Sequence, residues 1–183
     1  MVVITISGPP GSGKSTVAKR VAELLGLRFV SAGQLFREIA KTRGTDVVDL
    51  NKQAEQDFSI DRQVDARSLR EADKGNVVIE GHLTGWVIEK ADLKIYLNAP
   101  LEVRAKRIAE RESISIDDAT KQTQQRELSE KERFKKIYGF NLDSFINFDL
   151  VINTSIYDLH ELLDVIINAI LKSKPLKGVA VQR

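Results

Sequence analysis

Residues 8–15 read Gly8-Pro9-Pro10-Gly11-Ser12-Gly13-Lys14-Ser15, which satisfies G-x-x-x-x-G-K-[ST], a pattern whose chemistry is the cradling of a polyphosphate. Glycines let consecutive backbone N–H groups turn inward onto an anion without Cβ clashes. Lys14 would neutralise the β- and γ-phosphates, and the Ser15 hydroxyl would ligate Mg²⁺. The pattern carries weight only between a strand and a helix. Val2-Val3-Ile4-Thr5-Ile6 before it is a β-branched run of buried-strand type, and Val17, Ala18, Val21, Ala22, Leu24 and Leu25 after it have helical spacing. A helix there adds the positive end of its dipole to the donors of the loop.

Further residues of matching chemistry lie downstream. Glu80 closes the apolar run Val77-Val78-Ile79 and precedes Gly81. An acid at the end of such a strand is either the partner of Mg²⁺, often through water, or a plain strand-end carboxylate. Arg37 follows the Ser31-Ala32-Gly33 turn by one helical turn, so it either aims a guanidinium at an acceptor phosphate or is a surface arginine. Arg107 and Arg111, four residues apart, are flat cations able to stack on a base. Arg126, Glu130 and Arg133 share one helical face. That face is either a solvated ion-pair ladder or a pair of guanidiniums that closes on a triphosphate, with Glu130 holding both in register. His82 and His160 have no ligand-spaced partner, and Trp86 and the other aromatics are scattered.

The elements that must position these residues alternate between strand and helix, the mark of βαβ units and an α/β fold with a parallel sheet. Strands are predicted at Val2–Ser7, Arg28–Ser31, Val77–Glu80, Leu93–Asn98 and Leu150–Asn153. Ser31 with Gln34, Ser115 with Asp118 and Asp158 with Glu161 read as helix N-terminal caps. Two stretches lack a strand and should stand out from the sheet: a polar helical insert at about 39–74 and a helix at about 115–136. From Lys121 to Arg133 the second carries Leu128 as its only sizeable apolar residue, which suits a solvated connector or a lid. Residues 1–172 read as one domain, and 173–183 as a loose tail.

Composition narrows the function classes. With 28 Lys+Arg against 26 Asp+Glu, the net charge of +2 in 183 residues argues against an electrostatic nucleic-acid binder. No apolar run is long enough to cross a membrane, and the start of the chain does not read as a secretory signal. The absence of cysteine excludes disulfides and thiolate metal sites and fits a cytoplasmic setting.

Taken together the residues resemble the nucleoside monophosphate kinases, most closely the archaeal-type cytidylate kinases. The resemblance runs through Gly8 to Thr16, the Ser31-Ala32-Gly33-Gln34-Leu35-Phe36-Arg37 turn, Glu80-Gly81, Pro100–Arg104 and Arg107–Arg111. It continues through Arg126–Arg133, Ile137-Tyr138-Gly139 and Asp149–Ser155. The R-E-x-S-E-x-x-R and I-Y-G segments are the discriminating ones. The resemblance implies a three-layer P-loop kinase fold, a five-stranded parallel sheet with an acceptor-binding insert and a lid. It implies transfer of the γ-phosphoryl group of ATP, with Mg²⁺, to CMP or dCMP, and no nucleic acid, membrane or obligate protein partner. Gly8 through Thr16, Arg107 and Arg111 would bind ATP. Ser31, Gly33, Arg37 and Glu130 would bind the acceptor, Ser15 and Glu80 would serve Mg²⁺, and Lys14, Arg126 and Arg133 would be catalytic. One departure stands out, since His82 occupies a position where this family often has arginine.

Cytosine offers an N4 amino donor where uracil offers an acceptor, so a carboxylate separates the two. Asp61 is the first candidate for reading the base and Asp57 the second, unless both are helix-start acids near Ser59. An adenylate kinase or another small-acceptor kinase is the nearest alternative. A guanine-nucleotide switch would need N-K-x-D, and Asn51-Lys52-Gln53-Ala54 lacks the aspartate.

Overall fold

Five short apolar runs pair into one parallel sheet: β1 (Val3–Ser7), β2 (Arg28–Ser31), β3 (Val77–Gly81), β4 (Leu93–Asn98) and β5 (Leu150–Asn153). The computed structural model describes residues 1–176 and residue 180. Strand order is β2-β3-β1-β4-β5, so the first and third strands lie side by side at the centre. Both are buried along their whole length, as continuous apolar runs in a two-sided parallel sheet must be. Ile6 stands in register with Glu80 on one side and Ile95 on the other. The loops that leave β1 and β3 therefore open at the same edge of the sheet, where ligands bind in open α/β folds.

Helices cover both faces. On one, α1 (Lys14–Leu25) and α8 (Leu159–Lys172) pack Val17, Val21, Leu25, Leu162, Ile166 and Ile170 onto Ile4, Ile6 and Ile95. The Asp158–Glu161 capping box at the start of α8 is complete. Leu176, in a 3-10 turn over Lys174–Leu176, is fully buried in the same core. The tail is thus anchored through residue 176 and not loose from 173; residues 177–179 and 181–183 lie outside the described part. The opposite face carries α5 (Thr84–Val87), with Leu83 and Trp86 beside Tyr96.

The insert consists of α2 (Ala32–Thr42), α3 (Val47–Ala54) and α4 (Ser59–Asp73), which share a small core of Ala40, Leu50, Ala54 and Ile60. After β4, α6 (Leu101–Glu112) leads to α7 (Ile116–Tyr138), a single helix of 23 residues capped by the Ser115 hydroxyl, which accepts from the Asp118 N–H at 3.0 Å. Apolar packing holds α7 near its two ends: Ala119 against Ala105, Ile108 and Ala109 of α6, and Phe134 against Leu83, Trp86, Tyr96 and Leu142. The one large apolar side chain in its middle, Leu128, is exposed. No described helix is long and apolar enough to cross a membrane.

Candidate active site

The loop between β1 and α1 adopts a backbone that only glycine tolerates. Gly11 has φ of 79°, and a Cβ there would sit 2.6 Å from the Arg104 carbonyl oxygen. Gly13, at φ 87°, leads directly into the first turn of α1. Arg104 supports the loop from behind: its Nε donates to the Ala99 carbonyl at 2.8 Å and its Nη1 to the Pro10 carbonyl at 3.1 Å. Inside the loop the Ser12 hydroxyl is buried without a hydrogen-bond partner among the described residues, a polar atom suited to an anion. Lys14 folds its ammonium onto the Pro9 carbonyl at 3.2 Å. Burial lowers the Lys14 pKa, and the negative charge of Glu80 opposes that most strongly. Arg126, Glu130 and Arg111 also act on it, so charges carried by three separate elements influence one ammonium.

At the end of β3, Glu80 is buried and accepts a hydrogen bond from the Ser31 hydroxyl. The same hydroxyl accepts from the Gln34 N–H at 3.1 Å and so caps α2. Glu80 thereby ties the start of the insert to the strand beside the phosphate loop. Arg37 lies back over the turn, its Nη1 3.6 Å from where a Cβ on Gly33 would be. It is exposed and has no salt-bridge partner among the described residues, a free cation at the mouth of the insert. Ser15 and Thr16 are exposed on the first turn of α1. Among the described residues no three His, Asp or Glu side chains cluster tightly enough for a metal. A divalent ion here would rest on phosphate oxygens, water, the Ser15 hydroxyl and the Glu80 carboxylate, a donor set that fits Mg²⁺.

The face of α7 predicted to carry Arg126, Glu130 and Arg133 points inward, and its three members have different partners. Arg126 Nε donates to Glu130 at 2.7 Å, yet the Arg126 side chain is half exposed. Glu130 is buried and also bonds His82 Nδ1. Burial alone would raise its pKa, but Arg126 and His82 outweigh burial and hold it well below the usual carboxylate range. His82, which stands edge-on to Phe134, therefore links the end of β3 to α7. Arg133 is the correction. Expected to be a free phosphate-binding cation, it is 3% exposed and spent on protein acceptors. Its Nε reaches Asp61 at 2.6 Å, its Nη1 the Ser129 hydroxyl at 3.1 Å and its Nη2 Asn51 at 3.3 Å.

Asp61 is correspondingly buried on the inner side of α4, its pKa raised by burial and pulled back by Arg133. Asp57 does not reach the site: it is half exposed, accepts from the Ser59 N–H at 3.0 Å and pairs loosely with Arg43 at 3.7 Å. It is the helix-start acid that the alternative reading described.

On the other side of the loop a cavity of about 320 Å³ is lined by Gly11, Ser12, Gly13, Arg107, Arg111 and Tyr157 among others. Arg107 is less free than expected, since its two Nη atoms bond Thr154 Oγ1 at 2.9 Å and the Thr154 carbonyl at 3.0 Å. Arg111 pairs with Glu112 in solvent. Thr154 lies in the Asp149–Ser155 segment but has no role assigned by sequence, and Tyr157 lies outside every motif. The one available signal was positional, because the loop after β5 must open at the same sheet edge as the loop after β1.

Residues 3–156 match the model of a family described as cytidylate kinase-like. The chain belongs to the cytidylate kinase-like family. Among curated relatives, the cytidylate kinase of Staphylothermus marinus is 50% identical over 167 residues, 91% of this chain and 94% of its own. That of Ignicoccus hospitalis is 54% identical over 85% of this chain and 91% of its own, and that of Methanocaldococcus jannaschii 46% over 92% and 97%. Solved structures agree on the fold. A protein from Eubacterium ventriosum superposes with a TM-score of 0.72 at 20% identity, covering 94% of this chain and 99% of that one. Shikimate kinase from Acinetobacter baumannii superposes with 0.62 at 19%, covering 95% of each. At such identity the superpositions speak for the P-loop kinase architecture alone.

Proposed function

We propose that the protein transfers the γ-phosphoryl group of ATP to the phosphate of CMP or dCMP, giving ADP and CDP or dCDP. The observation that carries this reading is a glycine-only phosphate loop ending in Lys14, whose ammonium feels the charges of Glu80, Arg126 and Glu130, in a chain of the cytidylate kinase-like family. The acceptor oxygen is ionised near neutral pH and attacks the γ-phosphorus without a general base, which accounts for a site with cations and no catalytic dyad. Lys14 and the loop N–H groups hold the β- and γ-phosphates of ATP, and Arg37 holds the acceptor phosphate. Arg126, anchored by Glu130, moves its guanidinium onto the transferring group. Ser15 and Glu80 would hold Mg²⁺, which when bound would supply charge neutralisation on the phosphate oxygens. The work is positioning and electrostatics.

Asp61 is the residue we assign to the acceptor base. A carboxylate has about four lone-pair positions, so the bonds to Arg133 leave room for the N4 amino group of cytosine. The setting we assign is cytoplasmic, with small nucleotides as the partners.

A coupled assay of ADP release across CMP, dCMP, UMP, AMP and GMP tests the reading. CMP or dCMP should give the highest kcat/KM. A clear preference for AMP or a purine would replace the cytidylate assignment with another member of the same reaction class, and turnover with none of the five would refute it.

A further inference from the structure

The insert and α7 meet through side chains that the phosphate chemistry does not use. Asp61 and Asp65 stand one turn apart on the inner side of α4, and Asp65 accepts a hydrogen bond from the Tyr138 hydroxyl. Tyr138 is the last residue of α7, stacked on Phe140 with ring centroids 5.2 Å apart. The Asp61–Arg133 pair forms a second rung, and the Ser129 hydroxyl adds a third by donating to Glu55 at 2.6 Å. On its other side α7 is tied to the back of the phosphate loop, because Glu127 pairs with Arg104. Arg126 and Glu130 lie along the stretch that these attachments hold.

We propose that Asp65 and Tyr138 are positioning residues for phosphoryl transfer: their hydrogen bond, with the Asp61–Arg133 rung beside it, clasps the acceptor insert to α7 and sets where Arg126 stands over the phosphate loop. The helix has no apolar contact in its middle to do this, and its rotation about its own axis is left to polar side chains. At neutral pH the clasp is an ionised Asp65 accepting from Tyr138. Burial pushes the Asp65 pKa up to about 6, with Tyr138 on α7 holding it down and Asp61 on its own helix raising it further. Arg133 pairs with Asp61, and Arg62 acts on Tyr138. The neighbouring α2, α3, α5 and β3 add no charge that shifts Asp65.

The inference rests on the phosphoryl-transfer reading above, and its test separates the two. Steady-state kinetics of wild type, Tyr138→Phe and Asp65→Asn are followed with ATP and CMP from pH 5 to 8, and kcat is expressed as the ratio of variant to wild type. The acceptor phosphate titrates near pH 6 in every case and cancels in the ratio. Both variants are expected to lower kcat about fivefold at pH 8, with KM for CMP changed less than about twofold. Both ratios should climb toward one below about pH 6, where wild type loses its own ionised clasp. A ratio near one throughout overturns the proposal, and so does a reduced ratio that does not vary with pH, the mark of mere structural damage. Tyr138→Phe keeps the stacked ring and loses the bond, and Asp65→Asn leaves only a neutral, weaker acceptor in place of the ionised one, so either variant alone suffices if the other folds poorly. If wild type turns over a different monophosphate, the cytidylate reading fails while the same ratio, measured with that acceptor, still decides the clasp.

Discussion

The phosphate loop and α7 hold their charges by opposite means. Around the loop, apolar strands and α1 fix the backbone, and with it the directions of the N–H groups and the root of Lys14, whose ammonium folds back onto the Pro9 carbonyl. Along α7, apolar contacts sit near the ends only, and everything between is placed by ion pairs and hydrogen bonds of long side chains. A backbone-fixed site is preorganised and changes little when its ligand arrives. A side-chain-fixed site is open to exchange of partners, as a surface that must close on substrate and release product requires. The same face of α7 thus carries two arginines in unlike settings, Arg126 half in solvent and Arg133 walled in.

Changes that break the preorganised side should be the most damaging. Lys14→Ala removes the charge on which Glu80, Glu130, Arg126 and Arg111 converge and should lower kcat at least about 100-fold, about 3 kcal/mol of barrier, with a nearly unchanged thermal midpoint. Calorimetry and initial rates on the same preparation check both halves. On the polar side, Arg133→Ala should act on stability first, because it leaves Asp61 buried without its cation; a loss of about 3 kcal/mol is expected, or roughly 6–12 °C in midpoint for a chain of this size. If the midpoint holds and only kcat falls, Arg133 is a phosphate ligand after all.

A smaller effect sharpens the comparison through pH. The folded-state pKa of Asp65, about 6, lies above the unfolded value near 3.8, so the folded protein binds the proton more tightly and stability falls as pH rises between those values. Asp65→Asn removes that dependence. Its stability relative to wild type should therefore increase from pH 4 to pH 7, by on the order of 2 kcal/mol, as denaturant titrations at the two pH values would show. The smallest effect belongs to the loop interior. Ser12→Ala deletes a hydroxyl that no group among the described residues satisfies, so stability should change by under about 0.5 kcal/mol while KM for ATP rises if that hydroxyl meets a phosphate.

The same contrast decides how much of the molecule was legible in its sequence. All five strands lie within a residue or so of where β-branched runs ended, and the caps at Ser31, Ser115 and Asp158 form, because such signals are local. The phosphate loop was legible for that reason too, its pattern and its flanking elements lying within thirty residues. What could not be read was pairing across distance. Spacing put Arg126, Glu130 and Arg133 on one face, but only the packed chain brings Asp61, 72 residues away, to Arg133, or His82 to Glu130. The apolar count rightly found too little to hold α7 along its middle; the polar bonds that hold it there leave no periodic trace.

Chemical rescue of the two lid arginines tests the central distinction most directly. Single-turnover transfer from ATP to CMP is measured for Arg126→Ala and Arg133→Ala with and without guanidinium ion at low millimolar concentration, well below its denaturing range. The account predicts that Arg126→Ala, whose site is half open to solvent, recovers a clear part of the lost rate, while Arg133→Ala, whose site is closed, does not. Equal rescue of both, or rescue of Arg133→Ala alone, would contradict it.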